Sequence, residues 1–292
     1  MTSTHPRPRR SALFMPALNA RAIAKARTLP CDVVILDLED AVAPELKAAA
    51  REAAVAAVRE GGFGQREVVI RINAPDTPWG FDDARAATAA GPDAILLPKL
   101  SDVGTLAAAR GGIGSEGPSL WAMIETCRAV LDLAAIAAAA AEHGLAALVA
   151  GTNDLAKEMR CRPGADRAPL LPALSTIVLA ARAHGLIALD GVCNTVDDSA
   201  RIEAECRQGL AWGFDGKTLI HPAQIAPANQ VFTPSAEEVA WAEAVVAAFA
   251  EPANAGSGVI RLDGRMVELL HLDEARRTLA IAEGCRRMAE AD

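Results

Sequence analysis

Tyrosine is absent from this 292-residue chain, and all aromatic residues together make up only 3% of it. A surface that stacks nucleic-acid bases needs exposed aromatic rings, so the composition argues against that class of partner. Positive charge is also short. Twenty-nine Lys and Arg stand against 37 Asp and Glu, a formal net charge of −8. That removes the basis for general binding to a phosphate backbone. No apolar run approaches the roughly 18 residues that a membrane span requires. The polar stretch at residues 1–10 is followed by no apolar segment, so it does not read as a secretory leader. The six cysteines, Cys31, Cys127, Cys161, Cys193, Cys206 and Cys285, form no C-x-x-C pair and have neither zinc nor disulfide spacing. They read as reduced thiols of a cytoplasmic protein, mostly small buried hydrophobes. The five histidines are scattered and no HExxH occurs, which argues against zinc.

What is present is a repeating texture. Eight short apolar runs, at 12–16, 33–38, 68–72, 94–97, 120–124, 146–150, 186–189 and 217–220, alternate with long alanine-rich stretches. The runs are continuous rather than alternating, the pattern of strands buried on both faces of a parallel sheet. Helices are expected between them. One opens at Pro44, with Glu45 in its first turn, and closes at Gly61-Gly62. Others cover 129–143, ended by Gly144, and 176–184, ended by Gly185. Eight strand–helix units predict an α/β fold of the TIM (β/α)8 barrel type, which takes about 250 residues as one domain. After Phe232 the texture changes. Pro234-Ser235 caps a helix, a Pro/Gly/Ser loop follows, and 259–262 reads as a short strand before an Asp263-Gly264 turn and a final helix. The expected organisation is a barrel catalytic domain over 1–232 and a C-terminal helical module over 233–292.

Barrel active sites sit at the C-terminal ends of the strands, so the polar residues there carry the chemistry. Strand two ends in Asp37, Glu39 and Asp40, strand three in Arg71 and Asn73, and strand four in Lys99. Glu125 follows strand five, Asn153 and Asp154 strand six, and Asp190 strand seven. Glu125 and Asp154 are the candidate metal ligands, because magnesium takes one or two carboxylates and keeps positions for water or substrate. Arg71 presents a fork of donors suited to a carboxylate or an enolate. Glu39 and Asp40 could accept hydrogen bonds from metal-bound water, and Lys99 could neutralise carboxylates at the rim. Other features read as structural. Gly111-Gly112-Ile113-Gly114 precedes a strand instead of following one, His143 and His184 close helices, and Trp79 anchors a loop.

Taken in order, Arg10-Ser11-Ala12-Leu13-Phe14-Met15-Pro16, Ile35-Leu36-Asp37-Leu38-Glu39-Asp40, Val69-Ile70-Arg71-Ile72-Asn73, Leu97-Pro98-Lys99, Ile124-Glu125-Thr126, Gly151-Thr152-Asn153-Asp154-Leu155 and Gly213-Phe214-Asp215-Gly216-Lys217-Thr218-Leu219-Ile220-His221-Pro222 resemble the citrate lyase beta-subunit-like family of the HpcH/HpaI aldolase superfamily. That family includes malyl-CoA, β-methylmalyl-CoA and citramalyl-CoA lyases. The resemblance implies a TIM barrel, magnesium at Glu125 and Asp154, substrate contact by Arg71, and trimeric or hexameric homo-oligomers. It places Phe14, Arg21, Lys25, Ile220 and His221 against coenzyme A. It also implies carbon–carbon cleavage of a 3-hydroxy-acid CoA thioester to a 2-oxo acid such as glyoxylate or pyruvate. Many relatives carry an Asp in a C-terminal Gly-Lys-Met-Val-Asp motif, lent to a neighbouring subunit as acid/base. Here the motif reads Gly264-Arg265-Met266-Val267-Glu268, one methylene longer. The readings beside a lyase are a (3S)-malyl-CoA thioesterase, a citryl-carrier lyase beta subunit and a non-catalytic CoA-binding protein.

Overall fold

The computed structural model describes residues 7–291; residues 1–6, on which most of the expectation about a secretory leader falls, and residue 292 lie outside the described residues. Two compact units are present, Arg9–Asn229 and a second formed mainly by Gln230–Asp292. The division falls after Asn229, inside a helix, where the sequence texture suggests a boundary after Phe232.

In the first unit, strands β1 (Ser11–Pro16), β2 (Val33–Asp37), β3 (Glu67–Arg71), β4 (Ala94–Leu97), β5 (Ser119–Ile124), β6 (Leu145–Ala150), β7 (Ile187–Asp190) and β8 (Gly216–Leu219) pair in sequence order and close as a parallel barrel. Helices α1 (Ala20–Ala26), α2 (Lys47–Glu60), α3 (Gly80–Ala90) and α4 (Val103–Ile113) connect the first five strands. α5 (Cys127–Ala138), α6 (Ala140–His143), α7 (Thr152–Met159), α8 (Leu171–Ala183) and α9 (Ser199–Ala211) connect the rest. α10 (Ile225–Phe232) follows β8. The expected helix at 129–143 is two helices, interrupted at Ala139. The expected helix at 176–184 begins earlier, at Leu171, because Pro172 suits a first turn, where its missing N–H costs nothing.

Inside the barrel, Ala12, Val33, Ile35, Val69, Leu96, Trp121, Met123, Val149 and Leu189 pack as one buried cluster. Full burial of each Leu, Ile or Val contributes about 1.5–3 kcal/mol. The opposite end from the site is closed by charge: Arg9 forks onto Glu67 at the start of β3, with its guanidinium 5.6 Å from the Trp121 ring. Gly216 is required where β8 starts, since a Cβ there would meet the carbonyl of Arg9 at 1.9 Å. No helix among the described residues is long and apolar enough to cross a membrane.

The second unit is built on α11 (Ala236–Ala250), opened by a capping box between Ser235 and Glu238. An antiparallel hairpin of β9 (Val259–Leu262) and β10 (Arg265–Glu268) follows, then α12 (Leu269–Ala291). β10 is not evident in the sequence, because four residues with one buried side chain give no periodic signal.

Candidate active site

Side chains alternate along a strand, so the set that fills the barrel interior continues into its mouth. Val33 and Ile35 lead to Asp37, Val69 leads to Arg71, and Trp121 and Met123 lead to Glu125. There the stripe turns from apolar to charged. The result is a cavity of about 410 Å³ lined by Phe14, Asp37, Asp40, Arg71, Glu125 and Asp154, with Met123, Gly151, Asn153, Val192, Asn194, Thr218 and Ile220 among the rest of the wall.

Arg71 is the centre of the charge pattern. Its Nε and Nη2 donate to the two oxygens of Asp37, both at 2.7 Å, and Nη1 donates to Asp40 at 3.3 Å. Nη1 also lies 2.8 Å from Glu39 Oε2, but off the direction of a hydrogen bond, so that buried oxygen has charge contact without one. The Phe14 ring sits under the guanidinium, 4.8 Å from centroid to Cζ. The Lys99 ammonium takes the other Glu39 oxygen at 2.8 Å. Burial pushes the Glu39 pKa up, against the pull of Arg71 and Lys99. Lys47, buried in α2, fixes the loop behind these acids by donating to the carbonyls of Leu38 and Glu39.

Glu125 is buried, and its Oε1 accepts the main-chain N–H of Lys99 at 2.6 Å. Burial pushes its pKa up to about 7, opposed by the Lys99 N–H and Arg71 and reinforced by Glu39 and Asp154. A carboxylate in that position is one that a divalent cation would return to its charged form. Space for it is made by Gly151, where a Cβ would fall 2.3 Å from Glu125 Cβ and 2.6 Å from Oε2. Asp154 projects from the first turn of α7 and lines the same cavity. Among the described residues no three His, Cys, Asp or Glu side chains gather into a metal cage. Magnesium needs none, since it takes one or two carboxylates and fills the remaining positions with water or substrate. The donor set therefore fits that ion.

The candidate coenzyme contacts fall in three places. Phe14 and Ile220 line the cavity. Arg21 and Lys25 are exposed on α1, the helix that follows β1 at the mouth end of the barrel. His221 is exposed after β8 and caps the turn at Pro222–Gln224, its Nδ1 accepting the N–H of Ala223 at 3.2 Å, which assigns the ring proton to Nε2. Glu268, at the end of β10 in the second unit, is exposed, and its main-chain N–H is held by His271 Nδ1 at 3.0 Å.

Two strand-end residues are corrected. Asp190 does not line the cavity; it is wholly buried between Arg167 and Lys217, at 2.8 and 2.9 Å, with Glu205 3.3 Å from Lys217. Asn73 is likewise buried, donating to Leu38 O and Asp83. Asp190 ends β7 one position out of step with the inward stripe, and Asn73 lies two residues past the end of β3, where its side chain is taken up by Leu38 and Asp83. The residues missed are Gly151, Met123, Val192 and Asn194. Met123 and Val192 are apolar and carry no chemical flag, and Asn194 lies four residues past its strand. Counting by two from the interior set would have found Met123.

A family model described as HpcH/HpaI aldolase/citrate lyase matches residues 10–222. A (3S)-malyl-CoA thioesterase of Cereibacter sphaeroides (strain KD131 / KCTC 12085) is 46% identical over 94% of this chain and 95% of its own length. The citrate lyase subunit beta of Escherichia coli (strain K12) is 33% identical over 95% of this chain and 94% of its own. Among solved structures, the protein CitE from Mycobacterium tuberculosis in complex with magnesium, acetoacetate and coenzyme A superposes with a TM-score of 0.76. Its identity is 32%, over 95% of this chain and 98% of that one. The chain belongs to the HpcH/HpaI aldolase/citrate lyase family, within its citrate lyase beta-like branch of CoA-ester enzymes.

Proposed function

We propose that this chain is a magnesium-dependent enzyme acting on a malyl-CoA-type 3-hydroxy-acid thioester, and that it hydrolyses the thioester. The observation that carries the substrate class is the pairing of one guanidinium, Arg71, with two carboxylates, Glu125 and Asp154, in a single cavity. Such a site grips a small dicarboxylic acyl group at one end while a longer coenzyme extends over the rim. The sequence alone favours carbon–carbon cleavage first and hydrolysis second. Kinship at 46% identity with a thioesterase over nearly the whole chain supports the reverse order. Glu268, in place of the more usual aspartate, supports it too, because the acid/base is where the two reactions part.

Magnesium, when bound, supplies Lewis-acid stabilisation to the substrate's carboxylate and hydroxyl oxygens. Glu125 and Asp154 hold it. Arg71, locked by Asp37, orients the acyl group and offsets charge that develops at the thioester oxygen. Glu268, presented by a neighbouring chain of a homo-oligomer, takes a proton from the attacking water. The carbon–sulfur bond breaks, coenzyme A leaves as the thiolate and malate is released. Carbon–carbon cleavage, supported by kinship to citrate lyase beta subunits, uses the same grip. There the substrate hydroxyl loses its proton, the bond to the α-carbon of the thioester breaks, and that carbon, left as the enolate, takes a proton delivered by Glu268, giving glyoxylate and acetyl-CoA. The test is product analysis with malyl-CoA, with and without magnesium. Free coenzyme A and malate with no trappable glyoxylate support hydrolysis. Stoichiometric glyoxylate and acetyl-CoA would replace that reading by the lyase.

A further inference from the structure

Lys99 stands where β4 leaves the barrel, and its φ is +50°. A left-handed backbone is disfavoured for any residue with a Cβ and persists only where its surroundings hold it. Here the conformation lets one residue reach two carboxylates. The main-chain N–H donates to Glu125 Oε1 at 2.6 Å, and the ammonium donates to Glu39 Oε1 at 2.8 Å. The other oxygen of Glu39 lies 2.8 Å from Arg71 Nη1. A chain of contacts therefore runs from the metal-facing carboxylate, through the main chain and side chain of Lys99, to the substrate-facing guanidinium.

We infer that Lys99 is a positioning residue with two separable duties: its main-chain N–H aims Glu125, and its ammonium draws the charge of Glu39 away from Arg71. The inference rests on the metal assignment in the proposed function. The second duty follows from the charge count at Arg71. That guanidinium faces Asp37, Glu39 and Asp40, three acids whose charge, apart from Lys99, is shared with the buried Lys47 behind them. Without Lys99 they would over-neutralise it and weaken its hold on an anionic acyl group. The Lys99 side chain is also 46% exposed, poorly placed to stabilise the fold by that ion pair.

The two duties have opposite consequences for magnesium. The ammonium is a cation beside a cation site, so its loss favours metal binding. Loss of the N–H contact frees Glu125 and disfavours it. The test titrates the purified full chain, free of substrate, with magnesium by calorimetry and with manganese as a paramagnetic probe. Lys99→Gly keeps a left-handed backbone and drops the ammonium, Lys99→Met drops the ammonium alone, and Lys99→Val resists the left-handed region. Gly and Met variants are expected to bind magnesium at least as tightly as wild type, while KM for the thioester rises about tenfold and kcat changes less. The Val variant is expected to bind magnesium at least about tenfold more weakly. Equal weakening in the Gly and Val variants, or an unchanged KM in Gly and Met, overturns the inference. If Lys99→Val fails to fold, Lys99→Thr, also β-branched but smaller, takes its place in the same comparison with Lys99→Gly. A wild-type chain that binds no magnesium overturns the metal assignment instead.

Discussion

Arg71 and Asp37 meet as two forks, Nε to Oδ1 and Nη2 to Oδ2, each at 2.7 Å, with side chains only 7% and 2% exposed. Burial alone would favour loss of the arginine proton. Asp37, Glu39 and Asp40 more than offset that and hold the guanidinium charged. The pair therefore does two things: it fixes the plane of the guanidinium at the cavity wall, and it satisfies an acid that the barrel has buried. Arg71→Lys keeps the charge and loses the fork, so kcat/KM is expected to fall at least about tenfold. Arg71→Ala leaves Asp37 unpaired and is expected to cost about 3–5 kcal/mol of stability as well. Urea unfolding checks the second expectation; a wild-type midpoint would refute it.

Glu125→Gln and Asp154→Asn are expected to weaken magnesium binding and lower activity by about 100-fold, since the metal carries most of the charge stabilisation. Gly151→Ala should act in parallel without touching a charge, because its new Cβ displaces Glu125. Enzyme stripped with EDTA should be inactive and recover with added magnesium. Full activity after stripping would remove the metal from the mechanism.

The barrel was legible because its strands are buried on both faces, and continuous apolar runs mark such strands by themselves. Arg71, Glu125 and Asp154 stand out in the sequence because each follows an apolar run at its C-terminal end, and the structure brings the three to one cavity. Asp190 shows the limit of that argument. It ends a strand and is charged, yet its partners are Arg167 and Lys217, 23 and 27 residues away in sequence. Nothing local distinguishes a carboxylate that meets substrate from one that meets a buried lysine. Lys99 marks a second limit, since a lysine in a left-handed conformation leaves no trace in composition or periodicity.

The Asp190 network predicts an acid dependence of stability. Burial raises the Asp190 pKa, but Lys217 and Arg167 more than offset it, and the net direction is downward. An acid whose folded pKa is lowered contributes stability above its unfolded value, about 3.9. That contribution is lost as pH falls from there through the folded value. The unfolding midpoint should therefore decline below about pH 4. Asp190→Asn should lower stability at neutral pH by about 3–5 kcal/mol and make the acid decline shallower. An equally steep decline in the variant would exclude Asp190 as its source.

Arg21 and Lys25 lie one helical turn apart on the exposed face of α1. Two cations at that spacing suit the phosphates of a nucleotide and lie away from the reacting carbon. Replacing both with alanine is expected to raise KM for the CoA thioester more than it lowers kcat. A loss confined to kcat would mean that they do not hold the coenzyme.

Glu268 sits at the end of β10, exposed, with His271 Nδ1 holding its main-chain N–H and leaving its carboxylate free of that contact. Its β-strand, not the following helix, sets its direction, and Met266 and Leu269 beside it are also exposed. The proposal that this carboxylate is lent to another chain rests on its exposure, because a symmetric oligomer can present a surface group to its neighbour's mouth. If Glu268 is the acid/base, Glu268→Gln keeps its shape and removes the titrating group. Proton transfer should slow by roughly 100- to 10,000-fold. Magnesium affinity should hardly change, which separates this variant from those at Glu125 and Asp154. The decisive measurement mixes Glu268→Gln chains with Arg71→Ala chains. Each carries one defect, and a shared site would assemble an intact pocket from the sound mouth of one chain and the sound hairpin of another. Activity above that of either variant alone is the expected result. An inactive mixture, with subunit exchange confirmed by native mass spectrometry, would show that Glu268 does not serve a neighbour's site.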